Sequence, residues 1–258
     1  MDSASDNKRA ILKKRRRRFL LGGINQLLWP AVCANCSEHI AEADSSLCSR
    51  CWSEVLQSGG GEYCRRCGRD ASEYGLVGGA CGDCQGRQFR FDGISRAGVY
   101  SDSLKEMILS FKKGRVELDS VLGFLANSAL EGGSFHEKVE LFVPVPLHWS
   151  RRLVRGYNQS MLIARKLMPS RGKINTELVR IRRTKLQAAT SSFSARARNV
   201  AGAFAVRKGN PFAGRTICLV DDIKTSGATL NECARVLKEA GASQVFALVL
   251  AVAGQRTG

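Results

Sequence analysis

Two adjacent carboxylates, Asp221 and Asp222, mark the stretch of the sequence where chemistry is most strongly indicated. They follow an apolar run over 217–220 that is typical of a buried strand, and a short loop of hydroxyl and small residues follows them. That loop consists of Thr225, Ser226, Gly227, Ala228 and Thr229. A loop that opens onto a helix presents backbone N–H groups and the positive end of the helix dipole, which suits a phosphate. Because carboxylates repel a phosphate but accept hydrogen bonds from sugar hydroxyls, we predict a ribose 5-phosphate site. A strand, turn and helix in which the aspartates only cap and turn the chain is the alternative.

The residues after this loop predict the helix that it needs. Leu230, Cys233, Ala234 and Leu237 recur at the spacing of one helix face, and Gly241 stands where a left-handed C-cap is expected. Cys233 and Cys218 are interpreted as small core residues and not as ligands.

The stretch over 219–230, LVDDIKTSGATL, resembles the phosphoribosyl pyrophosphate (PRPP) motif of type I phosphoribosyltransferases. The resemblance implies that Asp221 and Asp222 hold the ribose hydroxyls, that residues 225–229 hold the 5-phosphate, and that Mg²⁺ accompanies PRPP. A Walker-type nucleotide site is disfavoured because the G-x-x-x-x-G-K-[ST] pattern is absent from the sequence.

Four Cys-x-x-Cys pairs lie between residues 33 and 84. They are Cys33 and Cys36, Cys48 and Cys51, Cys64 and Cys67, and Cys81 and Cys84. Two such pairs supply four thiolates in tetrahedral geometry, so we predict two closed structural zinc sites. Sequential pairing is the simplest arrangement, and an interleaved arrangement is the alternative. Disulfides would require an oxidising compartment, to which nothing in the sequence directs the chain.

Most of the formal net charge of +17 lies between residues 147 and 215, where sixteen Lys and Arg face one acidic residue. A pyrophosphate group needs such cations together with Mg²⁺. The residues predicted to hold it are His148, Arg151, Arg152, Arg155, Lys185, Gln187, Arg198 and Asn199. Residues 182–187 are typical of a loop that closes over a bound anion. A charged face that serves only solubility is the alternative.

Aromatic residues are interspersed among these cations, namely Trp149, Tyr157, Phe193 and Phe204. Cations that track a backbone and aromatics that stack bases are the features of sequence-tolerant binding to single-stranded DNA. The alternative is that Phe204 and Tyr157 pack in the fold and that the cations serve PRPP alone.

Alternating strand and helix patterns from residue 89 onward predict an α/β fold with a mostly parallel sheet flanked by helices. We expect three regions: a basic tail and short amphipathic helix over 1–30, a double zinc ribbon over 31–88, and the α/β domain over 89–258. The run of six cations over 13–18 is typical of a solvated tail, with a nucleic-acid or anionic-lipid contact as the alternative. No apolar run in the sequence reaches the length of a membrane span.

Five motifs follow one another along the chain: VPVPLH, RGYNQ, R-x-T-x-x-Q, RNV-x-GAF and DDIKTSGATL. In this order, behind the cysteine pairs, they resemble the ComF family, phosphoribosyltransferase-like proteins associated with DNA uptake in naturally competent bacteria. The resemblance implies a type I phosphoribosyltransferase-like fold. It also implies a pentosyltransferase of the glycosyltransferase class that moves phosphoribosyl to an unknown acceptor and releases pyrophosphate. The alternative is a non-catalytic component of DNA uptake that binds PRPP or single-stranded DNA.

The implied partners are PRPP, single-stranded DNA, and DNA-uptake helicase or channel proteins. The implied location is the cytoplasm or the inner face of the membrane.

Overall fold

The computed structural model describes residues 31–40, 45–85, 87–167, 172–184, 193–207, 209 and 211–253. The chain divides into two compact units, one that ends at Trp52 and one that begins at Ser53. The predicted basic tail and amphipathic helix over 1–30 lie outside the described residues, so they stay predictions.

Eight helices and nine strands are assigned in the described residues. The helices are α1 (Ser49–Gly59), α2 (Gly82–Gln85), α3 (Asp102–Lys112), α4 (Asp119–Glu131), α5 (Trp149–Arg155), α6 (Gln159–Lys166), α7 (Phe193–Val200) and α8 (Ala228–Glu239). The strands are β1 (Leu76–Val77), β2 (Ala80–Cys81), β3 (Gly93–Val99), β4 (Leu141–Pro144), β5 (Lys173–Ile174), β6 (Leu178–Arg180), β7 (Phe204–Val206), β8 (Thr216–Lys224) and β9 (Gln244–Val252).

Five strands form one sheet in the order β3-β9-β8-β4-β5, and every neighbouring pair is parallel. The predicted parallel α/β sheet is therefore confirmed. From β8 the chain moves outward to β9, and from β4 it moves outward to β5, in opposite directions along the sheet. The loops that follow β4 and β8 therefore diverge and leave a crevice at the carboxyl ends of these strands. Open α/β sheets bind ligands in such crevices. Strands β1-β2 and β6-β7 form two small antiparallel sheets.

Strand β8 is longer than its apolar run predicts. It continues through the acid pair to Lys224, because β9 supplies partners along its whole length, including Asp221 opposite Val249 and Lys224 opposite Val252. The carboxylates therefore project from a paired strand, whose backbone is more firmly fixed than that of a loop.

The core lies on both faces of this sheet. On one face, α8 packs Leu230, Cys233, Ala234 and Leu237 into a cluster that includes Ile217 and Leu219 of β8. This is the helix face predicted from the sequence. Alternate residues of β8, Cys218 and Val220, are also fully buried, and they point to the opposite face. Helices α4 and α6 pack on each other and on the sheet, α4 on β3 and β9 and α6 on β4 and β8. Cys218 and Cys233 are core residues, as predicted.

Candidate functional site

The acid pair at the carboxyl end of β8 accepts hydrogen bonds from two helices. Ser160, near the start of α6, donates its hydroxyl to Oδ1 of Asp221 at 3.0 Å. The Nζ of Lys112, the last residue of α3, lies 3.0 Å from Oδ1 of Asp222. Sequence reasoning missed both donors because their helices are distant from β8 along the chain. Each acid thus has a donor beside it and remains partly exposed, so it can accept further hydrogen bonds from a ligand.

The ionisation of Asp221 is strongly affected by its surroundings. Desolvation, followed by the negative charge of Asp222, raises the pKa of Asp221 to about 7. The backbone N–H of Asp222, the charge of Lys112 and the hydroxyl of Ser160 act in the opposite direction and lower that pKa. A ligand that donates hydrogen bonds to this carboxylate would favour its charged form in the same way.

Residues 225–227 connect β8 to α8, and Ala228 and Thr229 are the first two residues of α8, so the loop predicted over 225–229 includes the start of the helix. Residues 225–229 are called the phosphate turn below. Gly227 is the N-cap of α8 and has φ 80° and ψ 3°, a left-handed conformation that strongly favours glycine. The hydroxyl of Ser226 accepts a hydrogen bond from the backbone N–H of Ala228 at 3.3 Å. The positive end of the α8 dipole therefore lies at this turn, next to the end of the strand that carries the acids.

The loop that follows β4 begins beside the acid pair. The backbone N–H of Val145 donates to the carbonyl of Val220 at 2.9 Å, and the side chain of Asn158 donates back to the carbonyl of Val145 at 3.0 Å. Asn158 also caps α6 by accepting from the N–H of Ser160 at 3.2 Å. The loop is thus hydrogen-bonded at its start to β8, at the residue that precedes the acid pair, and Asn158 ties its far end back to that start.

His148 of this loop is buried and caps α5 by accepting from the backbone N–H of Ser150 at 3.3 Å. Burial, and then the positive charges of Arg180, Arg183 and Arg151, lower the pKa of His148. Its ring is therefore neutral at neutral pH and orients the start of α5 rather than adding a positive charge.

Arg151 and Arg180 converge on one residue. Arg151 donates to the carbonyl of Thr184 at 2.8 Å, and Arg180 donates to the hydroxyl of the same threonine. Arg180 also lies over the ring of Phe204, 5.2 Å from its centroid, and its buried Nε has no hydrogen-bond partner among the described residues. The charge of Asp221 acts on Arg180 as well, which places this cation within electrostatic reach of the acid pair. Sequence reasoning missed Arg180, because nothing in the local pattern distinguishes it from its many neighbouring cations.

A second buried donor lies at the start of α6. Arg155 donates to Oε1 of Gln159 at 2.7 Å, and Gln159 is only 1% exposed. Within the described part of the chain, Nε2 of Gln159 has no hydrogen-bond partner. A buried amide donor without a partner is costly, so this atom is well suited to a polar ligand.

Arg152 lines a groove of about 600 Å³ beside β6, which Arg180 borders as well. The groove is also lined by Trp149, Tyr157, Arg165, Arg180 and Arg207. Trp149 is 67% exposed. Tyr157 donates its hydroxyl to the carbonyl of Phe111, so its ring is held in place.

Two more predicted residues of the basic segment belong to a helix. Arg198 and Asn199 lie on α7, which packs on α8, and the carbonyl of Asn199 accepts from Arg182 at 3.1 Å. Lys185 and Gln187 lie outside the described residues. Phe204 is buried in the core and has no free face for a base, whereas nothing is described of the Phe193 side chain.

Two models of known protein families match separate parts of the chain. Residues 24–85 match the model of the double zinc ribbon domain, and residues 153–258 match that of the phosphoribosyl transferase domain. The chain is 30% identical over 224 residues to competence protein F of Haemophilus influenzae, an alignment that covers 83% of this chain and 93% of that protein. This chain belongs to the competence protein F (ComF) family.

Other members of the ComF family align over a similar length. Competence protein ComFC of Bacillus subtilis is 29% identical over 240 residues, which is 85% of this chain and 92% of that protein. DNA utilization protein YhgH of Escherichia coli is 29% identical over 223 residues, which is 84% and 94% respectively. The resemblance noted from the motifs is confirmed, as is the phosphoribosyltransferase-like fold behind a zinc-ribbon module.

The cysteines form the two four-thiol clusters that a double zinc ribbon requires. One cluster contains Cys33, Cys36, Cys48 and Cys51, and the other contains Cys64, Cys67, Cys81 and Cys84. Within each cluster the sulfur atoms all lie within 4.8 Å of one another, and the Sγ–Sγ distances include 3.6 Å for Cys36–Cys48 and for Cys64–Cys84. Four sulfurs around a zinc ion with Zn–S bonds of ~2.3 Å lie about 3.8 Å apart, so the clusters fit zinc. All ten cysteines are free of disulfides, and the sequential pairing is the one adopted.

Among the helices of the described residues, none combines the length and the apolar character that a membrane span requires.

Proposed function

We propose that this ComF-family chain binds PRPP with Mg²⁺ at the carboxyl ends of β4 and β8. The observation that carries the proposal is the joining of three features at one crevice. They are an acid pair with donors already beside it, a left-handed turn at the start of α8, and a cationic loop whose first residue, Val145, is hydrogen-bonded to Val220 just before the acid pair. A ribose 5-phosphate that carries a pyrophosphate needs these three kinds of group.

The phosphate turn and the acid pair would hold the ribose 5-phosphate end. Residues 225–229 offer backbone N–H groups, hydroxyls and the dipole of α8 to the phosphate. Asp221 and Asp222 would accept the two ribose hydroxyls. Asp222 already holds Lys112, whose ammonium offsets the combined negative charge of the pair.

The pyrophosphate end would lie toward the loop after β4. Arg151, Arg155, Arg180 and the free amide donor of Gln159 would bind its phosphate oxygens, and the proposal is supported by the unpartnered Nε2 of Gln159 and Nε of Arg180. Mg²⁺, when bound, neutralises pyrophosphate oxygens and is coordinated by oxygen ligands, for which the acid pair is the nearest source on β8.

With an acceptor present, the proposed reaction is phosphoribosyl transfer. The bond from ribose C1 to the pyrophosphate oxygen breaks, its electron pair leaves with pyrophosphate, and the acceptor's nucleophile forms the new bond to C1. Arginines around the leaving group stabilise the charge that develops on it. Binding of PRPP without transfer is the alternative, and both share the site.

The experiment combines calorimetric titration of PRPP and Mg²⁺ with measurement of pyrophosphate release over a panel of bases and amines. Binding with acceptor-dependent release supports the transferase. Binding of PRPP without release of pyrophosphate in the presence of any acceptor supports a PRPP-binding role without transfer. If the wild-type protein does not bind PRPP, both the transferase and the PRPP-binding role are contradicted.

A second candidate function, binding of single-stranded DNA, rests on the groove that contains Trp149. An exposed indole stands there with Arg152, Arg165 and Arg207, so a base can stack on the ring while phosphates meet cations. The names of the two competence-protein relatives and of the DNA utilization protein support a role in DNA uptake. The cytoplasm is the proposed location, because cysteines without disulfides, here all ten, are typical of proteins in a reducing compartment.

Salt dependence and two substitutions test this second function. Affinity for an oligonucleotide should fall steeply with salt, with a logarithmic slope of about −0.7 for each phosphate neutralised. Trp149→Ala should weaken binding by about five- to 100-fold, the usual range for the loss of one stacked base. Arg152→Glu should weaken binding to all sequences, whereas Lys105→Glu, the same charge change at an exposed residue away from the groove, should have little effect. Equal effects of both charge reversals would contradict the assignment of the groove.

A further inference from the structure

Lys224, the last residue of β8, is 3% exposed although it directly precedes the phosphate turn. Its Nζ lies 6.0 Å from the centroid of the Phe89 ring. Burial of an ammonium group is costly unless negative charge lies nearby. The groups that surround the ammonium of Lys224 should therefore include the negative charge that stabilises it.

The negative charge comes from the second cysteine cluster. Lys224 lines one small cavity with Cys67 and Cys84 of that cluster and with Thr225 and Ser226 of the phosphate turn. A zinc ion bound by four thiolates carries a net charge of about −2. Arg69 and Arg87 line the same cavity. The ammonium of Lys224 thus lies between a metal site and the turn, where it compensates, together with these arginines, the excess charge of the metal site.

The phosphate turn rests on the same side chain. A Cβ added to Gly227 would lie 3.0 Å from Cε of Lys224, so the glycine backbone approaches the lysine as closely as packing allows. The left-handed conformation of Gly227 sets the course of the chain into α8. A shift of Lys224 would therefore remove the surface on which the turn packs.

The second cluster is itself fixed to the sheet. Gly68, next to Cys67, packs on Val252 and Ile94, whose methyl groups would lie 3.0 Å and 3.3 Å from an added Cβ. Arg96, buried on β3, donates to the carbonyl of Gly68 at 2.8 Å and pairs with Asp70. Since the sheet holds the cluster in place, the cluster can in turn hold Lys224 in place.

We propose that Lys224 is a positioning residue through which the second zinc site, formed by Cys64, Cys67, Cys81 and Cys84, sets the conformation of the phosphate turn over 225–229. Loss of that zinc, or of the lysine charge, loosens the turn and weakens binding of the ligand's phosphate. The first zinc site, formed by Cys33, Cys36, Cys48 and Cys51, has no such role. The part of this inference that concerns the ligand rests on the proposed PRPP site. The effect of the second zinc site on the conformation of the phosphate turn does not depend on which ligand binds.

The test uses the full zinc-loaded chain and two readouts. Hydrogen exchange of the amides over 225–229 reports the turn without any ligand, and calorimetric titration with PRPP and Mg²⁺ reports the phosphate site. Lys224→Met should speed that exchange and lower the affinity for PRPP by about tenfold or more, as expected when a binding turn is displaced by a fraction of an ångström. Lys224→Arg keeps the charge and should recover part of both losses.

Cys84→Ser and Cys36→Ser are the matched pair, because each removes one thiolate from one of the two sites. Only Cys84→Ser should affect the exchange of 225–229. Unchanged exchange in Lys224→Met, or equal effects of the two cysteine changes, would overturn the inference. Wild-type protein that fails to bind PRPP would contradict the proposed function, and the exchange measurement would still decide the coupling.

Discussion

Replacement of Gly227 by alanine tests how tightly the phosphate turn is packed. Gly227 has φ 80°, and an L-residue with a side chain is disfavoured there by roughly 1–2 kcal/mol. The added Cβ would also lie 3.0 Å from Cε of the buried Lys224, so the lysine or the turn must shift. Such overpacking typically costs about 1–3 kcal/mol. We expect Gly227→Ala to lower the free energy of unfolding by about 2–5 kcal/mol.

Gly214→Ala is the matched control. Gly214 has φ 69°, and a Cβ added there would meet nothing within 4 Å. It should therefore show the backbone cost alone, about 1–2 kcal/mol, and leave PRPP affinity unchanged. Urea denaturation measures the stabilities, and calorimetric titration measures the affinities. If the two variants are equally destabilised and bind PRPP equally well, the packing of the turn on Lys224 does not matter and the reasoning is refuted.

Three further predictions concern the acids and the metal. PRPP affinity should fall as the pH is lowered through the pKa of Asp221, about 7, because the protonated acid is a poorer hydrogen-bond acceptor. Calorimetric titrations at a series of pH values measure this dependence, and Asp221→Asn should abolish it. Lys112→Met should move the midpoint of that series to higher pH, because the charge of Lys112 lowers the pKa of Asp221, and an unchanged midpoint would show that the ion pair is not formed. The wild-type chain should contain about two zinc ions by metal analysis, and Cys36→Ser and Cys64→Ser should each lose one.

The parts of the site that are contiguous in sequence were predictable. The strand, the acids, the turn and α8 follow one another between Thr216 and Glu239, so local pattern and spacing determine them. The four Cys-x-x-Cys pairs were equally clear, because short-range spacing makes each pair a half-site. Which pairs share a metal was left open by the sequence, and the structure answers it.

The parts assembled by tertiary contact were not predictable. Lys112, Ser160 and Arg180 belong to three different elements. Nothing near them in sequence indicates that Lys112 and Ser160 contact the acid pair or that the charge of Asp221 acts on Arg180. The length of β8 depends on pairing with β9, which local propensity does not encode.

Burial determines the surroundings of two single residues that the sequence singles out. The role of His148 at the pyrophosphate stays a prediction, to which the structure adds that its side chain caps α5 and has a lowered pKa. Phe204 was a stacking candidate with a core position as its alternative, and the core position is the one observed. Both side chains are buried, and their burial depends on tertiary packing, which a sequence does not show.

The central claim is that PRPP binds through the acid pair and the phosphate turn. The most direct measurement is a calorimetric titration of the zinc-loaded protein with PRPP and Mg²⁺, repeated with the Asp221→Asn/Asp222→Asn variant. Each charged hydrogen bond to a ribose hydroxyl is worth about 1.5–3 kcal/mol, so the double variant should bind at least about 100-fold more weakly. Wild-type protein that does not bind PRPP, or a double variant that binds it as tightly as wild type, would contradict the account.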